Sequence, residues 1–137
     1  MAYLLDSDVL IWQLRGHAPT VGLLRELAQV EHKKGGSLSP LGCSVVSIFE
    51  VRSGMRAQEE QATEQLLTTL ERYAVDEAIA RKAADYHRSF ARRGLTLHIA
   101  DLLIAATAIT WNLTLVTYNQ SHFPMEELRL YRPMPTF

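Results

Sequence analysis

Short apolar segments alternate with helical ones along this chain, and that alternation leaves few folds open. Residues 2–5, 43–46, 73–75, 113–117 and 128–131 read as strands, with Leu113-Thr114-Leu115-Val116-Thr117 the clearest. Between them the apolar positions take a helical spacing. Ser7 or Asp8 caps a first helix that Gly16 and Pro19 end, and Thr20 caps a second with Val21, Leu24, Leu27 and Ala28 on one face. A helix from Ser47 runs on through Met55 and Arg56 to Gln58, and another covers 59–71. Asp76 caps a long helix that Gly94 stops, and Thr96 or His98 opens a helix over 99–111 that is apolar on nearly every side, hence central. The polar, Gly- and Ser-rich stretch 32–42 reads as a loop. Strands separated by helices fold as an α/β protein: a three-layer α/β/α sandwich around a central, mostly parallel sheet of about five short strands.

Such sheets place their sites beyond the carboxyl ends of the strands, where strand order reverses. Three acids sit at the matching places. Asp6 directly follows the first strand, Glu50 falls in the first turn of the helix after the second, and Asp101 falls in the first turn of the helix leading into the fourth. Each lies against an apolar run, where an unpaired carboxylate is costly. Gathered at one edge they repel, and a hard divalent cation with oxygen ligands, Mg²⁺ or Mn²⁺ retaining several waters, reverses that cost. Such an ion lowers the pKa of bound water and stabilises charge on a phosphoryl oxygen, which points to hydrolysis at phosphorus. Taken singly, Asp6 and Asp101 read first as helix caps or first-turn acids, and Asp8 as an N-cap; it is the convergence of three that argues for a site.

The rest of the composition bounds the answer. At 137 residues, 47% hydrophobic and 21% charged, the chain suits one soluble globular domain over 1–137. A net charge of -1 means that any RNA-binding surface must come from local arginines. Lys33, Lys34 and Lys82 are the only lysines, so arginine dominates. Cys43 stands alone, which rules out an internal disulfide and favours a reducing compartment. No signal peptide is evident, and the apolar run 102–109 is too short to span a bilayer, so a cytoplasmic protein is expected. Arg52 and Arg56 follow Glu50 and are candidates for holding RNA phosphates, with a solvated helix face as the plainer reading. Arg92 and Arg93 suit the C-terminal end of their helix, and Trp12 and Trp111 read as core or interface aromatics.

Together, Leu5-Asp6-Ser7-Asp8-Val9-Leu10-Ile11, Ser47-Ile48-Phe49-Glu50, Ala100-Asp101-Leu102-Leu103-Ile104-Ala105-Ala106 and Leu115-Val116-Thr117-Tyr118-Asn119 resemble the ordered motifs of PIN-domain ribonucleases, in particular VapC-type toxins of bacterial toxin–antitoxin pairs. The resemblance covers essentially the whole chain. It implies a Mg²⁺- or Mn²⁺-dependent endoribonuclease that a small antitoxin holds inactive, and a homodimer. By it, Asp6 and Asp101 are metal ligands and Glu50 assists directly or through water. One departure stands out: many members carry a fourth acid where this chain reads Asn119-Gln120-Ser121-His122-Phe123. Asn119 offers a neutral oxygen there, Thr117 a bond to a carboxylate or metal water, and His122 a packing or phosphate-binding imidazole. The apolar helices over 9–27 and 49–70 offer a groove for an antitoxin helix.

Rival readings meet specific obstacles. Leu5-Asp6-Ser7-Asp8-Val9 also resembles the nucleophile motif of haloacid dehalogenase-like phosphatases, yet no lysine follows Lys82 to hold the phosphate. A receiver domain fails on the same lysine, and a dinucleotide-binding fold needs glycine where Asp6-Ser7-Asp8 stands. The strongest alternative is a degenerate PIN domain that binds RNA or protein without cutting.

Overall fold

A computed structural model of the protein describes residues 2–33 and 40–136. Its centre is a sheet of β1 (Tyr3–Leu5), β2 (Leu41–Ser44), β3 (Glu71–Tyr73), β4 (Thr114–Val116) and β5 (Arg129–Leu130) in the order β3-β2-β1-β4-β5. Every strand pairing is parallel. The chain moves outward from β1 to β3, then returns to the other side of β1 for β4, so the reversal of order falls beside β1.

Strand periodicity sorts the core into two halves. Leu4 and Leu115 point to one face, where they meet Ile79, Ala83 and Phe90 of α5 (Glu77–Arg92) and Leu102, Ile104 and Ala105 of α6 (Ile99–Thr110). Leu5 and Val116 point to the other. There they join Val9 and Leu10 of α1 (Ser7–Leu14), Leu23 and Leu27 of α2 (Ala18–Lys33), Val51 of α3 (Val45–Gly54) and Leu67 of α4 (Glu60–Thr68). Helices thus cover both faces, which gives the expected three-layer α/β/α sandwich. No helix among the described residues is long and apolar enough to cross a membrane.

Several boundaries differ from the sequence expectation, each for a local reason. The cap of α1 is Asp6, not Ser7 or Asp8: its backbone is still extended (φ -70°, ψ 161°) and its carboxylate accepts from the Ser7 N–H. Pro19 does not end a helix but sits in the first turn of α2, where its missing N–H is not needed, and Thr20 lies inside that helix. Strand β2 ends at Ser44, because the Ser44 hydroxyl accepts from Val46 N (3.0 Å) and turns Val45 and Val46 into α3. Helix α3 stops at Gly54 instead of continuing to Gln58. Met55 is extended (ψ 151°), and Arg56 opens a 3-10 turn, Ala57–Glu59, through a bond from its N–H to Glu59 Oε1 (2.8 Å). Strand β3 comes two residues early because it is an edge strand with exposed Glu71 and Arg72, which hides the apolar signal. Trp111 is 57% exposed and lies against Tyr73, outside the core. Of the expected loop over 32–42, residues 34–39 lie outside the described residues, while 32–33 belong to α2 and 41–42 to β2.

Two features fix the elements that carry the acids. At Gly42 an added Cβ would lie 2.6 Å from the Tyr73 ring and 2.7 Å from the Glu71 carbonyl oxygen, so β2 and β3 can meet only through glycine. Helix α6 ends in a Schellman turn: Asn112 adopts φ 56°, and Leu113 N bonds to Ala108 O at 2.8 Å, which delivers the chain straight into β4.

Candidate active site

The edge beside β1 is built from strand register. Leu5 pairs with Val116, and the Asp6 N–H continues the ladder to Val116 O (3.0 Å), so Asp6 and Thr117 leave their strands level with each other. The Thr117 hydroxyl donates to Asp6 Oδ2 at 2.7 Å, while Ser7 N donates to Asp6 Oδ1 at 2.8 Å. Asp6 is 4% exposed, and Thr117 is fully buried. Burial is the largest cause that pushes the Asp6 carboxyl up to about 7; the charges of Asp8 and Asp101 push the same way against the two hydrogen bonds. The carboxyl that caps α1 is thus destabilised when ionised, and a positive charge brought to it would relieve that cost.

Asp8 is tied to the backbone at both oxygens, by Val9 N (2.7 Å) and Tyr118 N (2.9 Å). It fastens the first turn of α1 to the segment after β4, and burial raises its pKa too. Asn119 joins through its main chain rather than its amide: its N–H donates to Thr117 Oγ1 at 3.0 Å. Tyr118 reaches the other way, its hydroxyl 2.6 Å from that of buried Thr20, which in turn lies 2.8 Å from His17 Nδ1.

Glu50 lies in the second turn of α3, not the first, because Ser44 starts that helix earlier than Ser47 would. The shift lets the hydroxyl of Ser7 donate to Glu50 Oε1 at 2.6 Å, with the fully buried Ser47 Oγ 3.0 Å from Ser7 Oγ. Ser7 and Ser47 are site residues beyond those expected from the sequence. The signal was present: a hydroxyl directly after the strand-ending acid, and another one helical turn before Glu50.

Asp101 stands in the first turn of α6 with a side chain 21% exposed. Burial raises its pKa, the imidazoles of His122 and His98 oppose that, and the charge of Glu50 adds to it. His122 Nδ1 is 3.5 Å from Asp101 Oδ2, so the residue in the place of the missing acid leans on an acid instead of adding one. The fields of Asp101 on Asp6 and of Glu50 on Asp101 link all three predicted carboxylates electrostatically.

The two arginines differ. Arg52 pairs with Glu64 and, at 3.5 Å, with Glu60, both on α4. Arg56 is beyond the end of α3, its side chain 79% exposed and 3.9 Å from Glu59.

Among the described residues, no three Asp, Glu, His or Cys side chains are placed so as to hold an ion by themselves. The donors nearest the edge are carboxylate oxygens, and each oxygen of Asp6 accepts one hydrogen bond and keeps a lone pair. One or two carboxylates completed by water and phosphate suit Mg²⁺ or Mn²⁺, whereas a closed cage of protein ligands would suit Zn²⁺.

Comparison with known proteins agrees with this architecture. The PIN domain family matches residues 3–124. Ribonuclease VapC10 of Mycobacterium tuberculosis is 41% identical over 124 residues, spanning 90% of this chain and 87% of that protein. Ribonuclease VapC1 of Methanocaldococcus jannaschii is 33% identical over 98 residues, 69% of this chain and 72% of the relative. A chain of VapBC2 from Rickettsia felis, solved bound to a DNA fragment from their promoter, superposes with a TM-score of 0.81 at 23% identity, over 96% of this chain and 98% of that one. With its fold, its match along the sheet and its relatives in accord, this chain belongs to the PIN domain family, among the VapC-type toxins.

Proposed function

We propose that this protein is a Mg²⁺- or Mn²⁺-dependent endoribonuclease, the toxin of a toxin–antitoxin pair, held inactive by a small antitoxin protein. The observation that carries the reading is Asp6: a buried carboxyl pushed up to about 7, at the point where strand order reverses, within the field of Asp101. The naming of its relatives as VapC ribonucleases and the antitoxin complexes among its structural neighbours support the activity and the partner.

Asp6 and Asp101 would hold the cation, with Glu50 directly or through water. Bound there, the ion supplies an acidic water and charge neutralisation at the phosphoryl oxygens. The chain's own residues do the rest. Thr117 and Ser7 N fix the rotamer of Asp6, and Asp8 locks α1 to the segment after β4 so that both stay level. The Ser7 hydroxyl orients Glu50, which keeps acceptor capacity for a proton from the attacking water. The water oxygen bonds to phosphorus as one ester P–O bond breaks, and the departing oxygen gains a proton. His122, half-exposed beside Asp101, would be in reach of a phosphate bound at the acids. Arg56, held only by a loose 3.9 Å pair with Glu59, can add a phosphate contact, and Arg52 can do so only by leaving Glu60 and Glu64.

The same reading makes the protein a single cytoplasmic domain that pairs with a second copy. Val45 and Phe49 on α3 and Leu95 and Ile99 at the entry to α6 are large, exposed apolar side chains, with Phe49 and Ile99 more than 70% accessible, and they suit a protein-covered face.

Two features favour a non-catalytic relative: His122 stands in place of an acid, and no three acidic, His or Cys side chains among the described residues close on one point. Purified protein, freed of any copurifying antitoxin, should cut RNA with Mg²⁺ or Mn²⁺ and stop on chelation. No metal-dependent cleavage across a broad RNA panel would select the binding module.

A further inference from the structure

A cavity lies beside the candidate site on its α1 side. It measures about 240 Å³ and runs between α1, the end of α3 and the start of α4. Glu50 belongs to its lining, so the cavity and the acidic edge share a wall. Ile11, Val51 and Met55 make its apolar surface, while Arg15 and Arg56 bring two guanidinium groups to it. Arg15 has its guanidinium laid over the Trp12 ring, 5.4 Å from the centroid, which braces a long side chain that would otherwise sweep through solvent. Two carboxylates share the lining, and both are engaged: Glu50 by the Ser7 hydroxyl, and Glu59 by the Arg56 N–H and, at 3.9 Å, its guanidinium.

We propose that this cavity is a nucleotide subsite: it takes the base next to the scissile phosphate against its apolar wall, while Arg15 and Arg56 hold the adjoining phosphate. The inference rests on the ribonuclease reading and adds to it where sequence preference arises. Three observations carry it together. The apolar wall beside two arginines matches a ligand that is flat and apolar at one end and anionic at the other. The shared Glu50 places that ligand one step along the chain from the acids. The size is also restrictive. Pockets for drug-sized ligands run about 300–1,000 Å³, so this smaller space is of the size for one base.

The structure supplies its own probe. Gly54 lines the cavity, its backbone is helical, and an added Cβ meets nothing within 4 Å. Gly54→Leu therefore fills the space from its wall without strain and with better helix propensity. The experiment compares the wild type, Gly54→Leu and Arg15→Ala on a random-sequence RNA pool with Mg²⁺, sequencing the cut ends and following kinetics on one preferred oligonucleotide. The expected result is loss of base preference at one position flanking the cut, with KM raised about tenfold in each variant and kcat nearly kept. Unchanged preference and KM in both variants, with melting temperatures at wild-type values, would overturn the subsite. If the variants instead keep RNA cleavage and escape inhibition by the cognate antitoxin, the cavity takes protein and the proposal falls. A wild type that cuts nothing in the pool defeats the ribonuclease reading itself, a different outcome from either.

Discussion

Buried hydroxyls in α6 and at the sheet edge look alike by burial and differ wholly by partner. Thr107, fully buried in α6, donates to Leu103 O of its own helix at 2.7 Å, as Thr63 does to Glu59 O in α4. These bonds satisfy a polar group in place and reach nothing else. Thr117 and Ser7, also buried, reach across the chain to carboxylates: Thr117 to Asp6 and Ser7 to Glu50, residues 111 and 43 positions apart. A hydroxyl that answers its own backbone keeps the fold; one that answers a distant carboxylate aims it. The molecule is organised by that difference.

The largest effect should come from the acids themselves. Asp6→Asn or Asp101→Asn should lower metal-dependent RNA cleavage by about 10³-fold or more, because each withdraws several kcal/mol of charge stabilisation. Cleavage at the wild-type rate by the double variant would remove the edge from the chemistry. Stability should move the opposite way. With its pKa raised from 3.8 to about 7, Asp6 costs the fold nothing below pH 4, and the cost grows as pH rises to 7, where the folded state begins to ionise it. The full penalty, on the order of 4 kcal/mol, is reached above pH 7. In metal-free buffer, denaturant melts of Asp6→Asn should therefore show a gain over wild type at pH 8 that vanishes near pH 4. The same ionisation makes cation affinity rise with pH through about 7. A wild type as stable as Asp6→Asn at pH 8 would mean that Asp6 is not held at this cost.

The paired hydroxyls give a direct test of the contrast. Thr117→Val removes the bond that orients Asp6 and should reduce cleavage about 10–100-fold, the range for partners that position a metal ligand. Thr107→Val removes a bond to its own helix and should leave cleavage intact, shifting stability by about 1 kcal/mol. Equal loss of activity in both would collapse the distinction.

The same contrast explains what was legible beforehand. Asp6 and Asp101 could be read because each abuts an apolar run, and the order of strands then sent them to one edge. For Glu50 the sequence predicts the right helix but a place one turn too early. Val45 and Val46 look like strand residues, and only the cap bond of Ser44 shows that the helix has begun. Ser7 and Ser47 escaped because a serine beside an acid is common, and only three-dimensional packing shows which serine meets which acid. Met55, Ala57 and Gln58 favour helix and predict Arg56 on α3, yet Gly54 and the Glu59 bond to Arg56 N end it.

The smallest effect belongs to Arg52, an exposed charge that answers inward. It bridges α3 to α4 through Glu60 and Glu64, and all three side chains are at least 40% accessible. Exposed pairs of this kind contribute about 0–1 kcal/mol, because water screens the attraction and ordering long side chains opposes it. Arg52→Ala should accordingly lower stability within that range, less in high salt, and leave the KM for RNA near wild type. Arg56→Ala, which breaks only a loose 3.9 Å pair and faces the cavity beside Glu50, should weaken RNA binding measurably more. A KM for Arg52→Ala as high as for Arg56→Ala would show that RNA draws Arg52 off its two glutamates. An inward partner would then be no guide to which arginines serve the site, and the rule drawn from the hydroxyls would stop at uncharged groups.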